Sequence, residues 1–141
     1  MPPTEDAEQR TLISWCRWME GQHSDFGMIL HIPNGEYRTP TTGKRLKAQG
    51  VRAGVPDLFL AVTTKDFGGL WIELKSQNGR VRPEQHEWIK KLQLHGYSAH
   101  VCYGWQHAAK VICDYLSLSD PFPGNHYPSR GVRGKHEKDI L

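Results

Sequence analysis

Leu70-Trp71-Ile72-Glu73-Leu74-Lys75 is the stretch on which the reading of this chain turns. Alternation with period two predicts a strand that sends Leu70, Ile72 and Leu74 to one face and Trp71, Glu73 and Lys75 to the other. A carboxylate and an ammonium therefore project side by side from a strand that is otherwise buried. Stability alone does not reward such a placement, because desolvation roughly cancels the attraction within a buried ion pair.

Upstream, Asp57 to Val62 reads as a second strand opening directly after Pro56, with a turn around Asp66 to Gly69 between the two. A hairpin or meander of this kind brings Asp57 to the same end of the sheet as Glu73 and Lys75. Met28 to Ile32 predicts a further strand, closed by the turn signal Pro33-Asn34-Gly35. Residues 4–20 predict a helix: Thr4 caps, acids fill the first turn, and Leu12, Ile13, Trp15, Cys16 and Met19 recur at helical spacing before Gly21. Downstream, Pro83 to His95 predicts a helix with Pro83 in its first turn and Gly96 as terminator. Tyr97 to Tyr103 reads as a strand, and Trp105 to Leu116 as a last helix.

The order helix, strand, strand, strand, helix, strand, helix (αβββαβα) predicts an α/β domain with a mixed central sheet flanked by helices. The meander is antiparallel, and the helix from Pro83 is long enough to return the chain to a parallel neighbour. The stretch Glu36 to Gly54 is polar, basic and glycine-containing. Its Lys44-Arg45-Leu46-Lys47 run is compatible with a helix, but the whole reads as a functional loop. Residues 1–118 then form one domain, and 119–141 a flexible, basic Pro/Gly-rich tail.

The length of 141 residues favours one core and one site per chain. No apolar run is long enough to span a membrane, and the acidic start lacks the pattern of a signal peptide, so the expectation is a soluble, cytoplasmic protein with no membrane partner. Cys16, Cys102 and Cys113 are widely spaced and odd in number, which argues against a disulfide framework or zinc ribbon and for small buried apolar residues. The eight histidines show no paired metal spacing, which disfavours a zinc hydrolase. A net charge of +3 identifies no partner. Its distribution says more, because Lys44, Arg45 and Lys47 between Arg38 and Arg52 carry no intervening acid. With Arg80 and Arg82 they are candidates for DNA phosphate contacts.

Two carboxylates at one site raise each other's pKa unless a cation sits between them. Mg²⁺ or Mn²⁺, hard ions with oxygen ligands, answers that need and can activate water and stabilise charge on a phosphate. Lys75 would orient the water or neutralise the transition state. The plain alternative for an Asp, Glu, Lys trio is a cross-strand salt bridge.

The surrounding pattern decides between these. Gly50-Val51-Arg52-Ala53-Gly54-Val55-Pro56-Asp57, then Ile72-Glu73-Leu74-Lys75, then Pro83-Glu84-Gln85 resembles the PD-(D/E)xK nuclease superfamily, and within it the VRR-NUC (virus-type replication-repair nuclease) family. The resemblance runs from about Glu5 to Leu116. It implies a restriction-endonuclease-like core with Asp57, Glu73 and Lys75 as catalytic set, the Leu74 carbonyl as a further metal oxygen beside Asp57 and Glu73, and Gln85 near the site. It also implies a glutamate of the first helix. The family's Glu-x-x-x-Gln falls on Glu5 and Gln9, although Glu8 also faces inward. His31 and Asn34, flanking the turn after the first strand, are auxiliary candidates.

Stand-alone relatives resemble Holliday-junction resolvases, so the resemblance implies a homodimeric endonuclease acting on branched DNA and encoded by a bacterium or phage. A flap- or restriction-type nuclease, or a catalytically silent DNA-binding module, are the alternatives.

Overall fold

The computed structural model describes residues 1–33 and 39–127. Asn34 and residues 128–141 of the expected tail lie outside the described residues. Helix α1 spans Glu5–Glu20, capped by Thr4, whose Oγ1 accepts the Ala7 N–H at 3.1 Å. A single 3₁₀ turn, Ser24–Met28, leads into strand β1, Ile29–His31. Helix α2 follows at Pro40–Ala48, then β2 at Leu58–Leu60 and β3 at Leu70–Lys75. Helix α3 (Pro83–Leu94), β4 (Ser98–Tyr103) and α4 (Trp105–Tyr115) complete the order.

The expected loop between Glu36 and Gly54 is thus corrected: it contains a helix. Thr39 accepts the Thr42 N–H at 3.2 Å and Pro40 occupies the first turn, a combination that starts a helix without any apolar signal. No residue of α2 is buried, so the periodicity by which helices are recognised is missing.

The four strands form one sheet in the order β1-β2-β3-β4. β1 pairs with β2 and β2 with β3 antiparallel, while β3 and β4 run parallel, connected through α3. The sheet is therefore mixed, as the pattern predicts, and the fold is α/β.

Alternation along the strands distributes the core. Leu58, Leu60, Leu70, Ile72, Leu74 and Cys102 point to the face covered by α1 and α4, where they meet Leu12, Cys16, Ala108, Ala109, Ile112 and Cys113. All three cysteines are free and buried, and burial pushes the Cys16 thiol up to about 12. On the other face Trp71, Ala99 and Val101 pack with Ile89 and Leu92 of α3. Phe59 lies over Trp71 with ring centroids 4.5 Å apart, as their cross-strand pairing requires.

Past α4, the chain folds back on it. Phe122 meets Trp105 edge to face at 5.3 Å, and Tyr127 stacks on His107 at 4.6 Å. Among the described residues no helix is long and apolar enough to cross a membrane.

Candidate active site

The site follows from register. Leu58 pairs with Ile72, so one step further along the two antiparallel strands Asp57 stands opposite Glu73, and opposed residues share a face. β2 ends there, and the Leu74 N–H, having lost its strand partner, donates to Asp57 Oδ2 at 2.8 Å. The carbonyl of Asp57 accepts from the Ile32 N–H at 2.6 Å. It also lies 3.1 Å from His31 Nδ1, which in turn lies 3.1 Å from Gln9 Nε2. Asp57 is thereby tied through its side chain to β3 and through its main chain to β1 and α1.

The loop that delivers Asp57 is set by one glycine. Gly54 has φ of +91°, and a Cβ there would lie 2.7 Å from the backbone carbonyl carbon of Glu84. Only glycine combines that conformation with so close an approach to α3. The neighbouring Ala53 carbonyl accepts the Trp88 indole N–H at 3.1 Å, fixing the same loop to the same helix.

Glu73 is 1% exposed and Lys75 5% exposed, and Lys75 Nζ lies 3.8 Å from Glu73 Oε2. Gln85, also buried, uses both ends of its amide. Its Oε1 accepts the Arg82 N–H at 2.9 Å at the start of α3, and its Nε2 donates to Glu73 Oε2 at 3.3 Å. Apart from the Asp57 carboxyl that contacts Glu73, no group donates to the buried Glu73 Oε1. Such an atom is costly to leave unsatisfied.

Electrostatics reflect this crowding. Burial, reinforced by the facing charge of Asp57, pushes the Glu73 carboxyl up to about 9 against the opposing pull of Lys75. Asp57 is also raised by burial, with the Leu74 N–H and a hydrogen bond to Glu73 pulling it back. Each carboxyl bears on the other's protonation, and Glu5 adds negative charge to both.

The two candidate glutamates of α1 part company. Glu8 is 4% exposed and its Oε2 accepts the Trp105 N–H at 2.9 Å, capping α4. Gly104, with φ of +88°, makes room for it, since a Cβ there would come 2.6 Å from that oxygen. Glu5 is exposed and close enough to be felt by both carboxylates.

The donor set fits a hard divalent ion. Two adjacent carboxylates, one with an unsatisfied oxygen, are what Mg²⁺ or Mn²⁺ needs, because these ions keep several waters and take one or two protein carboxylates. Among the described residues no group of three or more His, Cys, Asp or Glu side chains is gathered to hold an ion, which leaves water and main-chain oxygen for the remaining positions. In a strand the N–H and C=O of one residue leave by the same edge, so the Leu74 carbonyl faces the Asp57 side, as its N–H does.

The basic candidates are spread differently. Lys44, Arg45 and Lys47 are exposed on α2, and Arg52 is exposed in the loop leading to Asp57. Arg80 is exposed before α3, and Arg82 pairs with Glu84 at 3.4 Å. Two cavities, of about 560 and 600 Å³, lie beyond this constellation, against the first turn of α4 and under its far side. Sequence reasoning did not foresee Gly54, the Ala53 to Trp88 tie or the capping role of Glu8. The positive φ of Gly54 had a signal in Gly-Val-Pro-Asp, but the other two are long-range contacts.

The sequence pattern of the VRR-NUC domain matches residues 5–106 of the chain. Among solved structures, one described as a VRR_NUC domain protein is 31% identical, with 85% of this chain and 93% of that chain covered at a TM-score of 0.70. No curated protein matches the chain significantly.

Proposed function

The chain belongs to the VRR-NUC domain family, a nuclease-type family, and from that membership and the site geometry we propose that it is a Mg²⁺- or Mn²⁺-dependent endonuclease hydrolysing DNA phosphodiesters. The observation that carries the proposal is the buried Glu73 carboxylate standing opposite Asp57, with Lys75 alongside. Asp57, Glu73 and the Leu74 carbonyl would hold the ion, and Glu5 would contribute through water. When bound, such an ion supplies a Lewis acid for the phosphoryl oxygen and lowers the pKa of water.

The protein's own groups do the rest. Leu74 N–H fixes the Asp57 carboxylate, and Gln85 fixes Glu73, so that both present an oxygen to the same point. Lys75, held among buried groups, donates to the attacking water or to the oxygen that gains charge as the phosphodiester breaks. The exposed cations of α2, with Arg52, Arg80 and Arg82, would bind the flanking phosphates. Gln9 and His31 hold the main chain of Asp57.

Branched DNA is the proposed substrate and a homodimer the proposed form. Supporting the dimer, Trp18 of α1 is 66% exposed, and Met28 and Leu30, in and beside the three-residue edge strand, are 46% and 48% exposed. A twofold pair would offer two equivalent sites to opposed strands.

The test is an assay on four-way, flap, linear duplex and single-stranded DNA with Mn²⁺, Mg²⁺ or chelator, using wild type and Lys75→Ala. Cleavage should require the metal and vanish in the variant while DNA binding persists, and the four-way junction should be cut fastest. Unchanged turnover in Lys75→Ala would remove the site. A solution monomer, or equal rates on junction and linear duplex, would remove the resolvase reading alone.

A further inference from the structure

The cavity of about 560 Å³ opens at the end of the sheet where Asp57, Glu73 and Lys75 stand, just past the C-terminal ends of β3 and β4. Gln77 and Asn78, two and three residues beyond Lys75, form one wall, and the first turn of α4 forms another. The link to the site is direct: the Gly104 N–H donates to the Lys75 carbonyl at 2.9 Å, and the backbone turns at Ser76 so that Gly79 lies back against the Lys75 side chain.

The lining has a definite chemistry. Three rings from separate parts of the chain stack in sequence: Tyr103 on His107 at 18° between planes, and His107 on Tyr127 at 10°. Tyr103 is buried, while His107 and Tyr127 are only partly covered, and all three line the cavity. Gln77, Asn78 and Gln106 supply amide donors and acceptors around it. Among the described residues lining the cavity there is no lysine or arginine, and its one carboxylate, Glu8, is already taken by the Trp105 N–H. These residues offer ring faces and neutral amides in place of fixed cations. Flat rings with neutral amides at their edge are the complement of a nucleobase, and base stacking on aromatic side chains is sequence-tolerant because every base has a π face. The volume lies within the range of small-ligand sites.

We propose that this cavity is a nucleobase subsite, which takes one unstacked base of the substrate strand beside the phosphate to be cut. The inference rests on the nuclease reading for its substrate, but on the ring stack and amides for its chemistry. Holding a base out of the helix needs an already unpaired or weakened position, which a branch point or a single-stranded segment offers at low cost. The subsite therefore gives the domain a means of preferring non-duplex DNA without reading sequence.

The experiment scans 2-aminopurine singly through every position of a short single-stranded oligonucleotide bound to the full chain in chelator, where the strand stays intact. One position, or a short cluster, should be quenched by stacking; the quench should be lost in Tyr127→Ala and kept in Tyr127→Phe. An abasic site at that position should weaken wild-type binding about tenfold and weaken Tyr127→Ala no further. A thermal melt of each variant shows that it is folded. No Tyr127-dependent quench, or an equal abasic penalty in wild type and Tyr127→Ala, would overturn the proposal. If the strand is cut with Mn²⁺ but no such position exists, the subsite fails and the nuclease stands. If the quench is found but nothing is cut, the nuclease fails and a base-binding cavity remains.

Discussion

The raised carboxyl of Glu73, buried against Asp57, should make the metal-free protein's stability fall with rising pH. Burial and the facing carboxylate raise Glu73 to about 9, far above the range of a carboxylate in an unfolded chain. A raised folded pKa means that the native state binds one more proton than the unfolded state between those two values. The stabilising contribution is complete below the unfolded pKa and is lost as pH rises through the folded one. One extra proton corresponds to a slope of about 1.4 kcal/mol per pH unit.

For 141 residues the unfolding entropy scales to a Tm change of about 5 °C per pH unit. Desolvation lowers the half-buried His100 to about 4, so it acts in the opposite sense, but only below its ordinary range. The buried thiols are raised, Cys16 to about 12 and Cys113 to about 11, so they add in the same sense once pH nears their ordinary value of 9.0. The interval from about pH 7 to 8 is therefore the cleanest, and across it wild type in chelator should lose about 1.4 kcal/mol, or about 5 °C. Glu73→Gln should flatten the slope, because the raised carboxyl is gone. Saturating Mn²⁺ should do the same in wild type by displacing the extra proton. Differential scanning fluorimetry or urea titration at several pH values reads the slope. A flat wild-type profile, or the same slope in Glu73→Gln, would refute the argument.

Four further outcomes are expected. Glu8→Ala should cost about 1–3 kcal/mol in urea unfolding, because the Trp105 N–H loses its acceptor. Glu5→Ala should leave stability nearly unchanged yet slow cleavage, and the opposite division of effects would exchange their roles. Gly54→Ala should destabilise by about 2–4 kcal/mol, from its positive φ and its contact with Glu84; a stable Gly54→Ala protein would mean the loop has another conformation. Joint charge reversal of Lys44, Arg45 and Lys47 should weaken binding to every DNA substrate and lower the log–log salt slope by about 2–3 units. An unaltered slope would place α2 away from DNA.

Much of this architecture was legible in the chain itself because strand periodicity and turn residues are local. Leu70 to Lys75 announces a two-faced strand, Pro83 and Gly96 bracket α3, and Thr4 starts α1, each through backbone physics that needs no partner. Connection lengths write the mixed sheet only in part: the segment holding α3 can carry a parallel return, but so could the one holding α2, which joins antiparallel strands instead. Helix α2 escaped that reading because it buries nothing, and periodicity records burial.

The pairing of Asp57 with Glu73 was foreseeable as a shared sheet end, but their opposition and the raised carboxyl it produces depend on the register Leu58 to Ile72, which a sequence does not state. The two glutamates of α1 could not be separated by helical phase, because both lie on the inward side. What separates them is a residue 97 positions away, Trp105, whose N–H needs an acceptor at the start of α4 and finds Glu8. The ring stack of Tyr103, His107 and Tyr127 is assembled from β4, α4 and the segment beyond it, and no spacing marks it. Local sequence determines which backbone forms and which face is apolar; the tertiary structure decides which polar groups meet, because their partners are set by packing of the apolar faces and not by their own neighbours in the chain.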